Sequence, residues 1–298
     1  MSATTPAARF TTAAAVADGF DLDGPPQARW PAPAPFQPLD IRPGRVVMIG
    51  APPAAGKTTL TMQLAAGLID LTPGLKAVVG NVEMTPEDLY AKLLARLANV
   101  DVGLIQDRAY TAGQRGRLAA ARDANRGTLE RLAFLAPPFT VANLYAAMSE
   151  FGARLAVIDY AQRFAAGAAE ERQGIDQLMG QVRGLAMCGA AVVLVSSVAR
   201  QKSPGGSSGY AGLTMASFRG SSELEFGADS AYILDAAAGG VATLRCCKNR
   251  FGRLAYIHLR FDGPTQSFAA GDPLDAFDAA PPAAPKVRKA NNEKGGPA

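Results

Sequence analysis

The stretch that most constrains this chain is a small-residue turn between an apolar run and a helical pattern. Residues 46–49 read Val-Val-Met-Ile, the turn ends in Gly56-Lys57-Thr58-Thr59, and a helix-forming segment follows. Small residues in such a turn let backbone N–H groups close around a phosphate, and the helix that follows presents its positive end to the same anion. Because strand, turn and helix occur in this order, the pattern predicts a P-loop rather than a chance Gly-Lys-Thr in a surface loop.

The chemistry of the turn predicts which groups contact the nucleotide. Lys57 can reach the β- and γ-phosphates, and the Thr58 hydroxyl can ligate Mg²⁺. The usual motif begins with glycine at the position that is Ala51 here, which is a mild departure because alanine is the next smallest residue. The predicted nucleotide-binding residues of the turn are Gly50, Ala51, Pro52, Pro53, Ala54, Ala55, Gly56, Lys57, Thr58 and Thr59. The cofactors expected are therefore ATP and Mg²⁺.

Composition limits the class of protein. With 298 residues, 48% of them hydrophobic, the chain can bury a substantial core in one large domain or two small ones. A net charge of +4 permits nucleic-acid binding without arguing for it. The three cysteines form no Cys-x-x-Cys pair, and the single histidine excludes a histidine cluster, so a metal site built from Cys or His is not expected. Reduced thiols in a cytoplasmic protein are the better interpretation of the cysteines. No apolar run is long enough to span a membrane and no secretion signal is evident, so we expect a cytoplasmic protein without a membrane partner.

The order of patterns along the chain predicts three regions. Residues 1–34 are rich in Ala, Thr and Pro and are expected to form a disordered arm, and residues 272–298 a disordered basic tail. Residues 35–271 alternate strand and helix patterns, which predicts an α/β ATPase domain with a mostly parallel sheet flanked by helices. The apolar run at 190–195 is expected at the sheet centre.

The last strand patterns differ from the rest because only short connections join them. They therefore predict an antiparallel C-terminal extension of the sheet. These patterns lie at about 230–235, 241–247 and 254–261.

Two acidic residues follow apolar strand patterns. Asp159 ends the run 155–159, where P-loop ATPases hold Mg²⁺ through water. The alternative is a helix cap or a turn residue, but the P-loop pattern favours the Mg²⁺ role. Glu83 ends the strand after the P-loop helix and could activate a water as a general base. Ser196 and Ser197 end the 190–195 strand, and could sense the γ-phosphate or be ordinary strand-end residues.

A basic tripeptide, Lys248-Asn249-Arg250, follows another apolar strand pattern. Two cations at a strand end suit an arginine finger that reaches the nucleotide of a neighbouring subunit. On spacing alone, a solvated basic turn is the better interpretation.

Taken together, these motifs resemble the C-terminal motor domain of the DnaB-like replicative helicases, the superfamily 4 enzymes with a RecA-like core. The resemblance covers roughly residues 36–270. It depends on the P-loop and, in chain order, on Asn81-Val82-Glu83-Met84, Val157-Ile158-Asp159-Tyr160-Ala161-Gln162, Val195-Ser196-Ser197-Val198-Ala199-Arg200, Phe218-Arg219-Gly220-Ser221-Ser222-Glu223-Leu224-Glu225 with Ala228-Asp229, and Lys248-Asn249-Arg250.

The resemblance implies a role for each matching residue. Lys57 and Thr58 would bind nucleotide and Mg²⁺, and Glu83 would be the catalytic base. Asp159 would be the second Mg²⁺ acid, and Gln162 would belong to the same nucleotide motif. Lys248 and Arg250 would be the pair that completes a neighbour's site, and Arg219 would contact single-stranded DNA. Members of this family form ring hexamers with nucleotide sites between subunits, move along one DNA strand and work with other replication proteins.

Three departures from the family pattern keep alternatives open. Ser197 stands where the family usually has glutamine, Gly220 replaces an acid, and residues 1–34 are too few to form the family's helical N-terminal domain. The expected function is an ATP-dependent helicase or translocase acting on single-stranded DNA in replication. The alternative is a RecA-like ATPase that serves as a regulatory or loading factor without unwinding. A non-catalytic nucleotide-binding scaffold is disfavoured, because Glu83 and Asp159 are both retained.

Overall fold

The computed structural model describes residues 11–166, 170–199, 201–202, 208–209, 212–218, 222–236 and 238–272. The strands are β1 (Val46–Ala51), β2 (Ala77–Asn81), β3 (Leu132–Phe134), β4 (Leu155–Asp159), β5 (Ala191–Ser197), β6 (Gln201–Lys202), β7 (Ser208–Gly209), β8 (Ser230–Ala236), β9 (Val241–Asn249), β10 (Tyr256–Asp262) and β11 (Ser267–Ala270). The helices are α1 (Ala13–Asp18), α2 (Lys57–Leu71), α3 (Pro86–Ala98), α4 (Val102–Gln106), α5 (Ala112–Ala124), α6 (Arg126–Leu129), α7 (Val141–Phe151), α8 (Ala161–Phe164), α9 (Glu171–Met187) and α10 (Ser222–Gly227).

One sheet organises the described part of the chain. Its strand order is β11-β10-β9-β8-β1-β5-β4-β2-β3. The strands from β8 to β3 run parallel, whereas β9, β10 and β11 are joined to β8 and to one another as antiparallel pairs. The predicted α/β fold with a mostly parallel, RecA-like core and an antiparallel C-terminal extension is confirmed. The apolar strand β5 lies between β1 and β4, inside the parallel part, as expected.

Burial on both faces explains why β1 is continuously apolar. Val47 and Ile49 join a hydrophobic cluster that includes α2, while Val46 and Met48 join a second cluster that includes α7 and α9. Successive residues of a strand point to opposite faces, so helices on both sides require an apolar residue at every position. The P-loop therefore extends from a strand that is packed on both faces.

Helix boundaries follow the capping chemistry of the sequence. Thr85 accepts a hydrogen bond from the Asp88 N–H at 3.2 Å and precedes Pro86, so α3 begins where the pattern predicts. It ends at Asn99, which adopts a left-handed conformation with φ of 51°. Thr140 caps α7 in the same way, with its hydroxyl accepting from the Asn143 N–H.

The arm predicted for residues 1–34 differs from the structure. Trp30 is 6% exposed, pairs with Ile41 through a backbone hydrogen bond of 3.1 Å, and belongs to the α2-side cluster. Pro33 lies directly over Gly67 of α2. Residues 13–18 form the short helix α1, which buries none of its residues. The packed domain therefore begins near residue 30, because an indole this large gains more from burial than the Pro-rich segment loses in freedom.

After β5, the described residues include the hairpin of β6 and β7 and a 3-10 helix over Met215–Ser217. One further difference lies in the C-terminal half of the chain. Strand β11 was not predicted, since four residues after a tight turn give too short a pattern. Arg219 and the predicted tail from residue 273 lie outside the described residues.

Candidate nucleotide site

The P-loop is shaped by one glycine and by the last strand of the sheet. Gly56 has φ of 85°, and a Cβ there would lie 2.9 Å from Cζ of Phe268. Phe268 is itself fixed by Gln63 of α2, whose side chain donates to the Phe268 carbonyl and accepts from its N–H, each at 2.8 Å. Glycine is thus required at position 56 both for its conformation and for the close approach of β11.

Helix α2 starts without a side-chain cap in the part of the chain that the structure describes. The first N–H groups of a helix have no partner within the helix, and they carry partial positive charge. In this position they suit an anion such as a nucleotide phosphate.

A cavity of about 440 Å³ opens at the carboxyl ends of the parallel strands. Its size is within the range of small-molecule sites. It is lined by Pro53, Ala54, Gly56, Lys57, Thr58, Thr59, Glu83, Met84, Lys92, Tyr160, Ser197, Phe261, Gly263 and Gln266.

Four of the predicted turn residues, Gly50, Ala51, Pro52 and Ala55, are not among the described residues that line the cavity. Gly50 in particular is small for another reason. A Cβ there would lie 2.5 Å from Cε1 of Phe218 and 2.9 Å from Cγ1 of Val198. The space at Gly50 is thus filled by the protein's own side chains, and any nucleotide contact from Gly50 would involve its backbone.

Lys57 extends back over the turn. Its ammonium donates to the Ala51 carbonyl at 3.2 Å and to the Pro52 carbonyl at 2.8 Å. Burial lowers the pKa of Lys57, and the nearby carboxylates of Asp159 and Glu83 oppose this effect. The ammonium is therefore held at the mouth of the turn, where a phosphate would be a stronger acceptor than the two carbonyls.

Thr58 and Asp159, the two predicted Mg²⁺ ligands, are brought together although they are 101 positions apart. The Thr58 hydroxyl donates to Oδ2 of Asp159 at 2.7 Å. Asp159 is 3% exposed, and burial raises the pKa of its carboxyl, while the bond from Thr58 and the charge of Lys57 oppose the rise.

This pair fits Mg²⁺. The ion prefers oxygen ligands, keeps several waters, and is commonly held by one or two carboxylates together with substrate phosphates. Among the described residues, no group of three or more His, Cys, Asp or Glu forms a metal-binding cluster. A hydroxyl and a single buried carboxylate beside the phosphate site are the donor set expected for a nucleotide-bound ion.

Asn81 was missed by the sequence analysis, although it positions both acids. Its Nδ2 donates to Oδ2 of Asp159 at 2.8 Å, and its Oδ1 accepts from the N–H groups of Glu83 at 3.0 Å and Met84 at 2.8 Å. Asn81 is 5% exposed at the end of β2, directly beside Asp159 in the register with β4. The available signal was an amide at the end of an otherwise apolar strand.

Glu83 faces the cavity and is exposed to solvent. The pKa of the Tyr160 phenol is raised, first by burial and then by the nearby charge of Glu83. An exposed carboxylate next to the phosphate-binding turn can accept a proton from a water molecule. The position of Glu83 is therefore compatible with the predicted role of a general base.

Gln162 links the end of β5 to α8 instead of lining the cavity. Its Nε2 donates to Oγ of Ser196 at 3.0 Å, and its Oε1 accepts from the Ser197 N–H at 3.2 Å. Ser196 is fully buried, whereas Ser197 lines the cavity. Ser197 is therefore part of the cavity wall, and Gln162 holds the Ser197 backbone in place.

Lys92 and Gln266 also line the cavity, and neither was predicted. Oε1 of Gln266 accepts from the Thr59 hydroxyl and from the Lys92 ammonium, each at 2.7 Å. Burial lowers the pKa of Lys92, and Asp88 opposes this. The sequence feature that could have indicated Lys92 is a cation on the apolar face of α3. Gln266 lies in a turn, and no sequence feature indicates its role.

Lys248 and Arg250 lie at the opposite edge of the sheet from the P-loop. Asn249 pairs with Ser230, which follows Asp229, and the Asp229 N–H donates to the carbonyl of Val46, the first residue of β1. The turn begins five residues further along β1, or about 16 Å away at the rise of a strand. The two cations therefore do not reach the nucleotide site of their own subunit.

Comparisons with known proteins agree with the fold. The family described as DnaB-like helicase C terminal domain matches residues 39–270. One solved structure, described as an ATPase domain, is similar with a TM-score of 0.67 and 18% identity over 78% of this chain and 86% of that one. A DnaB-like replicative helicase, studied with its interactions with primase, gives the same score and identity, and the match spans 58% of its length. A search of curated protein sequences finds no match. None of the described helices has the length and apolar character needed to cross a membrane.

Proposed function

The chain belongs to the family of DnaB-like helicase C-terminal domains, and from this premise we propose that it is an ATP-dependent helicase or translocase acting on single-stranded DNA in DNA replication. The proposal includes a ring, with a homo-hexamer as the expected assembly and ATP hydrolysed between its subunits. Other replication proteins are the partners that such a motor would require.

One observation supports the ring more than any other. Lys57, Thr58 and Glu83 line a cavity at one edge of the sheet, with Asp159 hydrogen-bonded to Thr58, while Arg250 lies at the other edge. The described residues that line the cavity include Lys57 and Lys92 but no arginine, so an arginine that stabilises the γ-phosphate in the transition state would have to come from a neighbour. Head-to-tail contacts that bring one edge of a subunit to the opposite edge of the next generate a ring when the rotation closes.

The proposed reaction is transfer of the γ-phosphoryl group of ATP to water. The N–H groups of the P-loop and the Lys57 ammonium hold the phosphates, and Glu83 accepts the proton of the attacking water, with ADP as the leaving group. Mg²⁺, held by Thr58 and through water by Asp159, would neutralise the developing charge. Lys248 and Arg250 of the adjacent subunit would stabilise the same charge from the other side.

DNA binding is assigned to Arg219 by the family resemblance. Its neighbour Phe218 is 6% exposed and pairs with Val198 in an isolated bridge. Because Phe218 also lies against Gly50 in β1, the segment next to Arg219 is anchored beside the P-loop strand. This anchoring supports a coupling between nucleotide state and DNA contact.

The decisive experiment measures ATP hydrolysis with and without single-stranded DNA, with Lys57→Ala as the blank. Strong stimulation by DNA is expected, and strand displacement on a forked duplex then separates a helicase from a translocase. Hydrolysis that is indifferent to DNA would overturn the motor and favour the regulatory or loading ATPase. Arg219→Ala is expected to weaken single-strand binding with ATP binding intact, and wild-type binding should itself fall as salt rises.

A mixing experiment tests the shared site. Arg250→Ala is expected to lower turnover steeply, by up to about 10³-fold where a finger is essential. Mixing Arg250→Ala with Glu83→Gln subunits should restore part of the activity, because a Glu83→Gln subunit offers an intact finger to an Arg250→Ala subunit with an intact base. A mixture that stays inactive would contradict the shared site.

A further inference from the structure

We propose that Asp229 is a positioning residue for the trans-acting arginine, because it links Arg250 to Val46, the first residue of the P-loop strand. The inference rests on the proposed function, since Arg250 must act on a neighbour's nucleotide. Asp229 would then connect the finger that a subunit offers to its neighbour with the strand that carries the subunit's own nucleotide site.

The first support is the clamp between Asp229 and Val46. The Asp229 N–H donates to the Val46 carbonyl at 2.8 Å, and Oδ2 of Asp229 accepts from the Val46 N–H at 2.9 Å. The side chain of Asp229 is only 5% exposed. Both backbone groups of Val46 are thus bound by one residue, so Asp229 is fixed to the start of β1.

The second support is the way Asp229 holds Arg250. The Arg250 N–H donates to the Asp229 carbonyl at 2.9 Å, and Nη1 lies 3.4 Å from Oδ1 of Asp229. Nη2 donates to the carbonyl of Phe226. A guanidinium has five N–H donors, so three remain for a phosphate, and the side chain is 42% exposed. Arg250 is therefore oriented without being sequestered.

The third support is the local charge. Arg183 also contacts Asp229, with Nη1 2.5 Å from Oδ2, and Arg45 is close enough for the Asp229 charge to oppose the lowering of its pKa by burial. Several guanidinium groups thus surround one carboxylate. Asp229 directs the Arg250 side chain without cancelling the positive field that would attract a neighbour's triphosphate.

Asp229→Asn tests the role, with Asp40→Asn as the matched control. Asparagine keeps an oxygen for the Val46 N–H but removes the charge that holds Arg250. Asp40 holds Arg29, Arg42 and Arg45 with contacts of 2.5–3.3 Å, and none of its ion pairs in the described residues involves Arg250. Asp229→Asn is expected to lower turnover by about 10- to 100-fold, the loss expected for a bond to a charged group, with less than about a twofold change in nucleotide affinity. Asp40→Asn should keep wild-type turnover.

Mixing separates positioning from general damage to the fold. Lys57→Ala subunits have an intact Asp229 and finger, and Asp229→Asn subunits have an intact P-loop. Activity should therefore return when the two are mixed. Three results would overturn the proposal. They are no gain in activity on mixing, a loss of nucleotide affinity that matches the loss of turnover, and wild-type turnover in Asp229→Asn.

Measuring Arg250→Ala alongside separates the trans-acting role of Arg250 from the positioning role of Asp229. Full turnover in Arg250→Ala would overturn the trans-acting finger and the role of Asp229 with it. An inactive Arg250→Ala with a fully active Asp229→Asn would overturn the role of Asp229 alone.

Discussion

At the scale of single residues, one amide determines where two acids lie. Asn81 binds Asp159 through its Nδ2 and the backbone of Glu83 through its Oδ1. Asn81→Ala should lower turnover about 10- to 100-fold with ATP binding retained, since small displacements of catalytic groups have effects of this size. Steady-state hydrolysis and titration with a fluorescent nucleotide measure the two quantities.

Asn143→Ala is the matched control for Asn81→Ala. Asn143 makes two side-chain hydrogen bonds of 2.8 Å, to the carbonyls of Ala136 and Pro138, but does not line the cavity. It should lose stability without losing turnover. Equal turnover in Asn81→Ala and the wild type would show that the acids do not depend on this amide.

The buried carboxyl of Asp159 predicts a dependence of stability on pH. Burial raises its pKa in the folded protein, so the unfolded chain ionises first as pH rises. The contribution of this group to the free energy of unfolding is therefore greatest below the ordinary range near pH 4 and is lost as pH rises through the raised pKa.

Asp159→Asn should consequently make the nucleotide-free protein more stable at pH 7, while abolishing hydrolysis. The gain over wild type should shrink toward zero as the pH approaches the ordinary aspartate range. Denaturant unfolding at several pH values without nucleotide measures this difference. A variant less stable than wild type at pH 7 would mean that the bonds from Thr58 and Asn81 outweigh the cost of burial.

The residues that the sequence predicted are those whose chemical type defines a motif. Four such residues carry the groups that phosphate, Mg²⁺ and water require: Lys57, Thr58, Asp159 and Glu83. Their positions in the sequence pattern were therefore sufficient to name them as candidates. Asn81 and Gln266 act through contacts with segments 78 and 207 positions away, respectively. No local sequence pattern predicts such a contact, because the two segments meet only after the sheet has formed.

At the scale of elements, β1 is packed against the segment that leads to Arg219. The absence of a side chain at Gly50 leaves room for Phe218, which follows the 3-10 helix over Met215–Ser217. Gly50→Ala would force a Cβ to within 2.5 Å of the Phe218 ring. We expect a loss of about 1–3 kcal/mol in the free energy of unfolding, the usual cost of overpacking.

A double-mutant cycle tests that contact. Phe218→Leu should be destabilising alone but should recover part of the loss caused by Gly50→Ala, because the smaller side chain relieves the overlap. Gly116→Ala is the control, since no atom lies within 4 Å of a Cβ there, and alanine in a helix should stabilise by about 1 kcal/mol. Strict additivity of Gly50→Ala and Phe218→Leu would contradict the contact.

The elements themselves were largely predictable, for a physical reason. Strands buried on both faces, such as β1 and β5, need continuous apolar runs, and helices such as α3 and α7 carry a threonine cap at their start. Strand β11 and the packing of Trp30 depend on what the rest of the fold presents to them. The long elements were therefore predicted from the sequence, whereas these short segments were not.

At the scale of the whole molecule, the two halves of the proposed site lie at opposite edges of one sheet. If hydrolysis requires both, turnover per subunit should rise steeply with protein concentration and then level off as assembly completes. Parallel measurements of turnover and of mass by analytical ultracentrifugation check this. Constant turnover across dilution to the monomer would contradict the shared site. Arg250→Ala should show low turnover at every concentration at which it assembles.

The position of Phe268 has a consequence for how the protein is made. Its ring lies against Gly56, and its backbone is bound by Gln63, so one of the last described segments supports the first turn of the P-loop helix. During translation, β1 and α2 leave the ribosome long before β11 exists. The nascent chain therefore cannot complete the predicted nucleotide site until residue 268 has emerged.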